Sequence, residues 1–255
     1  MSISLLCRWF VSAVLICVCG MVRAQNCLPP QPFVHSFQNL GVAALQGAAD
    51  TPCALSSSLN SAAGPNAAAF VHYRRPAPTT SVRYSFRMDD SAVATSLTSV
   101  LRNVQIFSAS ASSLQSNAGF PAHLLLVYLS GQASTPTISI IVACGGTPSK
   151  AIQLPVALPG NVNTLRFEIN TGSGTAGSLR YWINADFTDA PTGIIDNNGV
   201  GLDNAAWGGV IAAELGMSSG SNGFRTNSGG GAIVFDQIQT SDDVLFWQNF
   251  ELDQQ

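Results

Sequence analysis

The chain carries little charge. Only 10% of its 255 residues are Asp, Glu, Lys or Arg, Lys150 is its one lysine, and the formal net charge is −3. Nucleic-acid binding requires clustered Lys and Arg side chains that contact the phosphates, so this composition argues against a DNA or RNA partner. The polar surface is therefore expected to consist mostly of Ser, Thr, Asn and Gln, which is compatible with binding to sugar hydroxyls.

Long apolar runs are also lacking. The first run, Trp9–Val22, is shorter than the roughly 20 residues that a membrane-spanning helix needs, and no second one follows. It lies after Arg8 and before a plausible cleavage point at Ala24, which is the pattern of a secretory signal peptide. We expect residues 1–24 to be removed and the mature chain, without a membrane span, to be secreted, periplasmic or on the cell surface. An uncleaved N-terminal anchor is the alternative.

Cysteines are few once the leader is removed. Cys27, Cys53 and Cys144 remain, and an odd number in an oxidising compartment implies one pair and one leftover thiol. Cys27 and Cys53 both flank irregular segments near the mature N-terminus, so we predict a disulfide between them, which would contribute roughly 3 kcal/mol. Cys144 ends an apolar strand and is predicted to be a buried thiol rather than a nucleophile.

Alternation of apolar and polar residues indicates an all-β protein. Residues 162–186 contain two alternating runs separated by a Gly/Ser loop, which predicts two half-buried antiparallel strands joined as a hairpin. Residues 81–89 alternate most cleanly. Many short strands and no convincing long helix indicate a sandwich or a barrel. We assign residues 25–68 to an irregular segment packed on the sandwich and residues 69–255 to one sandwich domain.

Two motifs match enzyme signatures in spacing only. Gly216–Gly220 fits the G-x-S-x-G pattern of serine hydrolases, but a glycine-rich loop is expected after Ser218, and all three histidines precede it. Gly172–Gly177 fits the G-x-G-x-x-G pattern of dinucleotide sites. A strand follows it, where such a site needs a helix whose N-terminal amides hold the pyrophosphate. Neither motif predicts a catalytic or cofactor site.

Residues 196–204, DNNGVGLDN, are the best metal-site candidate in the sequence. Calcium takes several oxygen ligands on a flexible turn, so Asp196, Asn198 and Asp203 are candidate calcium ligands. Asp196 and Asn198 are also candidate partners for ligand hydroxyls. The same Asx/Gly composition is typical of ordinary turns, which is the alternative. No other cofactor is expected.

Trp182 and Trp207 are candidate ligand-stacking residues. An exposed indole can stack on the apolar face of a sugar ring, whereas a buried one would cap the edge of the core. Trp182 is placed on the outward face of its strand, and Trp207 follows a long polar loop. His123 begins an apolar strand and is interpreted as a hydrogen-bonded structural histidine.

The order of strand motifs resembles that of bacterial exported concanavalin A-like, or laminin G-like, jelly-roll domains. The resemblance covers residues 69–251 and lies in the segments SVRYSFRMD (81–89), LRFEIN (165–170), SLRYWINAD (178–186), VIAAELGMSSG (210–220) and GAIVFDQIQTS (231–241). It implies a two-sheet antiparallel β-sandwich. It also implies binding of glycans or other extracellular ligands, in some members through calcium.

Three functional hypotheses follow. The first is an exported, non-catalytic binding or surface-associated module with a glycan ligand. The alternative is a polysaccharide hydrolase or lyase on the same scaffold, which requires two carboxylates, or a carboxylate and a basic residue, facing each other in a groove. Its candidate residues are Glu168, Glu214, Arg166 and Arg180. A purely structural envelope component is the second alternative.

Overall fold

The computed structural model describes residues 36–39, 41–46, 54–59, 67–98, 100–116, 119 and 121–241. Within them the chain forms strands joined by loops and short helical turns. The strands are β1 (Ser36–Asn39), β2 (Gly41–Gln46), β3 (Ala54–Leu59), β4 (Ala68–Thr79), β5 (Ser81–Asp89), β6 (Val100–Gln115), β7 (Pro121–Gln132), β8 (Thr135–Ala143), β9 (Ala151–Ala157), β10 (Val162–Asn170), β11 (Ser178–Ile183), β12 (Gly193–Ile195), β13 (Val210–Ser218) and β14 (Ala232–Thr240).

The strands form two seven-stranded sheets. Sheet I has the order β1-β4-β13-β6-β7-β8-β9, and sheet II has the order β12-β11-β10-β5-β14-β3-β2. Neighbouring strands are antiparallel throughout, including the β10–β11 hairpin, in which Leu165 pairs with Ile183. The protein is therefore a two-sheet antiparallel β-sandwich, as the sequence predicts.

Apolar side chains from both sheets meet between the layers. Phe86 and Phe167 of sheet II and Phe107 of sheet I are buried together. The Phe107 and Phe167 rings stack with centroids 5.9 Å apart, and the centroid of Phe86 lies 5.5 Å from that of Phe107. Aromatic pairs in such geometries add to the free energy gained by burying their area. The period-two alternation of β5 and β10 thus turns one face of sheet II toward this core and the other outward.

Two parts of the chain differ from the sequence expectation. The segment 25–68, expected to be irregular, contains β1, β2 and β3, of which β1 pairs in sheet I and the other two in sheet II. The strands β2 and β3 are short and rich in Ala and Ser, which gives a weak alternation signal, so the pattern missed them. After Ser218 the chain forms a short helix, α1 (Asn222–Asn227), capped by the Ser221 hydroxyl, where a loop was expected.

Several predictions concern residues outside the described ranges. They are the signal peptide over residues 1–24 and the disulfide between Cys27 and Cys53. Within the described residues, no helix is both long enough and apolar enough to cross a membrane. Cys144 is half-buried, packs against the core and has a free thiol.

Candidate ligand groove

A groove of about 700 Å³ lies on the outer face of sheet I. Its walls and floor come from β4, β6, β7, β8 and β13 and from the start of β9. It is much larger than a cavity of about 20 Å³ that lies between the layers. Clefts with a few convergent polar groups are the usual form of a ligand site, so the side chains that line the groove define the candidate site.

Two side chains of the groove lie at opposite ends of one row of the sheet. Arg74 on β4 pairs with Ala212 on β13, Ala212 pairs with Ser110 on β6, and Ser110 pairs with His123 on β7. Three strand spacings separate the two outer Cα atoms by about 14 Å. The intervening Ala and Ser side chains are small, which leaves space above the sheet between the guanidinium and the imidazole.

The neighbouring row carries the carboxylate of the groove. Glu214 on β13 pairs with His72 on β4 and with Ser108 on β6. One carboxylate oxygen, Oε1, lies 3.6 Å from His72 Nδ1, and the other, Oε2, accepts a 3.2 Å hydrogen bond from Ser108 Oγ. Glu214 is thus held by two neighbouring strands, with a basic residue beside it.

A β-bulge turns His123 into the groove. Between β6 and β7 the register moves from Ala109–Leu125 to Ser110–His123, so Leu124 is an extra residue in β7. A shift of one residue reverses the face to which a side chain points. Strict alternation with Leu125 would place His123 in the core, whereas the bulge exposes it beside Ser110, whose Oγ lies 3.4 Å from Nδ1. The contact with Ser110 is compatible with the interpretation of His123 as a hydrogen-bonded histidine, and the structure adds that its side chain lines the groove.

The surroundings of His123 favour its neutral form. Desolvation by the walls of the groove lowers the pKa of His123 below its ordinary value of 6.5, and the nearby Glu214 carboxylate opposes this shift. The His123 side chain is exposed and lines the groove. A neutral imidazole near neutral pH is a competent general base.

The charges of the groove are unbalanced. Three cationic side chains, Arg74, Arg102 and Lys150, line it and are exposed. Within the described part of the chain, none of the three has a carboxylate within ion-pairing distance. Glu214 is the one acidic side chain among the groove-lining residues described. The groove is therefore positive in a protein whose formal net charge is −3.

On the outer face of sheet II, in contrast, the charged side chains are paired with one another. There Glu168 bridges Arg83 at 2.6 Å and Arg180 at 3.1 Å, and Arg87 pairs with Asp236 at 2.7 Å. Burial of the Glu168 carboxyl raises its pKa, but its hydrogen bonds to Arg83 and Asn170 and the charges of the two arginines outweigh this, and the net shift is downward. Cross-strand pairs of this kind stabilise a sheet.

Glu168, Arg166 and Arg180 therefore do not share a groove with Glu214. Arg166 donates a hydrogen bond to the carbonyl oxygen of Ala185, and the other two belong to the ion-pair network of sheet II. The sandwich core separates them from the groove of sheet I. Of the four residues that the enzyme hypothesis named, Glu214 alone lies in the groove.

The two tryptophans are buried, as in the alternative in which they cap the edge of the core. Trp182 is 3% exposed because Phe187 covers it, with ring centroids 5.1 Å apart, and its Nε1 donates to the carbonyl oxygen of Asp189. Trp207 is 1% exposed, and its Nε1 donates to the carbonyl oxygen of Gly145 at one end of the groove. Both indoles close the edges of the structure and have no open face on which a sugar could stack.

The loop of the calcium prediction is a sequence of turns. The Asp196 carboxylate accepts from the Gly199 amide at 3.0 Å, and the Asp203 carboxylate accepts from the Gly174 amide at 2.9 Å. Asn198 is exposed with a φ of 59°. Among the described residues, no group of three or more His, Cys, Asp and Glu side chains is placed to hold a metal ion. The Asp196 contact is local to its own turn, whereas Asp203 joins this loop to the turn at Gly174. Calcium binding there stays a prediction.

Solved structures share this architecture at low sequence identity. An endo-β-1,4-glucuronan lyase from the fungus Trichoderma reesei matches with a TM-score of 0.53 and 12% identity, over 83% of this chain and 91% of that one. An alginate lyase from Pseudomonas aeruginosa matches with a TM-score of 0.46 and 13% identity, over 77% and 85%. The globular domain of T. cruzi calreticulin matches with a TM-score of 0.46 and 11% identity, over 84% of this chain and 81% of that one.

No family model matches the chain, and no curated protein matches it in sequence. At 12% identity, the match to the glucuronan lyase shows a common fold. In the arrangement of its two sheets the chain is thus similar to the structure of that glucuronan lyase.

Proposed function

We propose that this protein cleaves an acidic, uronate-containing polysaccharide by β-elimination in the groove of sheet I. The observation that carries the proposal is the excess of cationic side chains without carboxylate partners in a groove that His123 also lines. Arg74, Arg102 and Lys150 would attract the carboxylates of such a polymer, and His123 would act on the sugar ring between them.

The charge of the groove favours an anionic ligand over a neutral one. An unpaired guanidinium binds a carboxylate through charge-assisted hydrogen bonds, which are stronger than hydrogen bonds between neutral groups. The paired arginines of sheet II make that interaction within the protein. The cationic side chains of the groove have no such carboxylate partner in the protein, so they can bind the carboxylates of a ligand. This is the physical reason for proposing an acidic polymer.

Elimination fits the groove better than hydrolysis. Glycoside hydrolysis in most families uses two opposed carboxyl groups, and Glu214 is the one carboxylate among the described lining residues. β-Elimination needs one base, one proton source and a cation that neutralises the uronate carboxylate. All three kinds of side chain are present in the two rows of the groove.

The reaction would proceed as follows. His123 removes the proton from C5, the ring carbon that bears the carboxylate, while Arg74 stabilises the negative charge that develops on that group. The electron pair forms the C4–C5 double bond as the C4–O glycosidic bond breaks. The leaving oxygen takes a proton held by the His72–Glu214 pair, whose Nδ1 and Oε1 atoms lie 3.6 Å apart.

The shared fold supports this proposal in a limited way. The glucuronan lyase shows that a sandwich of this kind can accommodate the cleavage of a β-1,4-linked polyuronate. Export directed by residues 1–24, as the sequence predicts, would bring the groove into contact with extracellular polysaccharides. If the groove bound a polysaccharide without cleaving it, the protein would be the glycan-binding module of the first hypothesis.

The test is incubation of the protein with β-1,4-glucuronan, alginate and polygalacturonate, and with a neutral β-1,4-glucan as control. The C4–C5 double bond conjugated to the carboxylate absorbs in the ultraviolet, so the expected result is rising absorbance with at least one acidic polymer and none with the neutral glucan. Binding of an acidic polymer without any rise in absorbance would contradict the enzyme proposal and support the binding module.

A further inference from the structure

We infer that Arg102 forms a second carboxylate-binding site in the groove, remote from the reacting sugar, which selects polymers that carry uronates several rings apart. The inference rests on the proposed function and deepens it. It concerns the substrate class and the length of chain that the groove binds. Its test is a binding measurement, so it can fail or succeed independently of catalysis.

Arg102 is held in place by neighbouring side chains. Its Nη2 donates to Gln153 Oε1 at 3.1 Å, and Gln153 Nε2 in turn donates to Ser139 Oγ at 2.8 Å. The guanidinium carbon lies 5.6 Å from the centre of the Tyr128 ring. The four residues come from β6, β9, β8 and β7, so the arginine side chain is anchored across the outer face of sheet I.

This arrangement prepares the guanidinium for an anion. Stacking on an aromatic face and one neutral hydrogen bond restrict the side chain without neutralising its charge. A guanidinium has five N–H donors, and the described residues accept from one of its nitrogens. Ordering an arginine in advance reduces the entropy that is lost when a ligand binds.

Arg102 lies far from the proposed base. Tyr128, beneath the guanidinium, is five residues from His123 along β7, which corresponds to about 15 Å. A carboxylate bound at Arg102 therefore belongs to a sugar several rings from the bond that is cleaved. A short oligosaccharide that fills only the region between His123 and Arg74 would not reach it.

The competing explanation is that Arg102 only braces the sheet through Gln153 and Tyr128. A brace would affect stability and would act equally on ligands of every length. The site proposed here would affect the affinity for long acidic chains alone. The two explanations therefore differ in one measurable quantity, the ratio of the dissociation constants for long and short oligosaccharides.

The experiment is calorimetric titration of the full-length protein with glucuronan octasaccharide and disaccharide. Arg102→Gln should weaken octasaccharide binding about tenfold, the cost of losing one charge-assisted contact, and leave disaccharide binding unchanged. Arg102→Lys should retain part of the affinity. Arg83→Gln is the matched control, because it removes a cation from sheet II while Glu168 keeps Arg180, and it should change neither value.

Each outcome decides the inference. An equal loss for both ligands, an unchanged octasaccharide affinity in Arg102→Gln, or the same loss in Arg83→Gln would overturn it. Thermal unfolding of each variant shows that a change in affinity does not come from unfolding. A wild-type protein that binds the octasaccharide and produces no unsaturated product would overturn the cleavage proposal alone, whereas a protein that binds no acidic polymer would overturn both.

Discussion

Ser110 Oγ lies 3.4 Å from His123 Nδ1 across the β6–β7 pair, at the point where a bulge turns the imidazole out of the core. A hydroxyl beside Nδ1 fixes the orientation of the ring and leaves Nε2 as the nitrogen for proton transfer. The contact connects a local irregularity of the sheet to the proposed chemistry, because a regular β7 strand would bury this histidine.

Replacing His123 is expected to abolish most of the activity. In the proposed mechanism His123→Asn removes the general base, which typically contributes a factor of 10² to 10⁴ to kcat. The measurement is the initial rate of ultraviolet absorbance with the acidic polymer that the wild type cleaves. The Arg83→Gln variant is the control and should retain its rate. Full activity in His123→Asn would exclude His123 as the base.

The rate is expected to depend on pH through His123. Burial lowers the pKa of His123 below 6.5, so the base stays neutral at neutral pH and becomes protonated only in more acidic solution. The kcat/KM profile should therefore fall on its acid side below pH 6.5. An acid limb centred above pH 6.5 would contradict this assignment.

The lowered pKa of His123 also affects the free energy of unfolding. In the range just below pH 6.5 the unfolded chain binds a proton at His123 that the folded chain does not bind, so the free energy of unfolding should rise with pH across this range. His123→Asn should remove that part of the slope. Urea titrations at several pH values measure it, and an unchanged slope in the variant would show that His123 does not cause it.

Asp90 is expected to destabilise the fold at high pH. Both of its carboxylate oxygens are buried without a hydrogen-bond partner, and desolvation raises the pKa of Asp90 from 3.8 to about 7. The folded protein therefore retains a proton that the unfolded chain loses above pH 4, and stability should decrease as pH rises toward 7. Asp90→Asn should be more stable than the wild type by roughly 2–4 kcal/mol at pH 8.

The control for Asp90→Asn is Asp186→Asn, at a carboxylate whose side chain is 64% exposed. That change should alter the free energy of unfolding by about 0.5 kcal/mol or less, as is usual for exposed positions. The two variants and the wild type are compared by urea unfolding at pH 4 and pH 8. Asp90→Asn that is less stable than the wild type at pH 8 would show that the ionised carboxylate has a stabilising partner.

Gly216 is expected to tolerate no side chain. Its φ is +135°, and a Cβ atom there would lie 2.4 Å from the carbonyl oxygen of Ala69 and 2.6 Å from the Cα of Phe70. Gly216→Ala should therefore reduce the free energy of unfolding by about 2 kcal/mol or more. Gly160→Ala, where nothing lies within 4 Å, should be nearly neutral. Equal stability of the two variants in urea would contradict the packing described here.

Period-two patterns predicted the sandwich because they report which residues face the core. The alternation of residues 81–89 and 162–186 is confirmed by the β5–β10–β11 pairing. The rule could not place His123, because a single extra residue in β7 reverses the face to which its side chain points. A bulge is a property of strand pairing, and one strand's sequence does not specify its partner.

The groove could not be predicted from the sequence, because the residues that line it are distant along the chain. His72 and Glu214 become neighbours only when β4 pairs with β13. Conversely, Trp182 was placed correctly on the outward face of β11, where it pairs with Arg166, but the loop that carries Phe187 folds back and covers it. Long-range pairing and loop covering are tertiary effects that local patterns do not contain.

The mass of the cleavage products tests the central claim most directly. Elimination divides a polyuronate into two fragments whose masses add up to that of the substrate, whereas hydrolysis adds one water molecule. Mass spectrometry of a defined glucuronan oligosaccharide incubated with the protein should show an unsaturated fragment. Its mass should be lower by one water than that of a saturated fragment with the same number of sugars. Saturated fragments only, or an intact oligosaccharide after prolonged incubation with protein shown to bind it, would contradict the account.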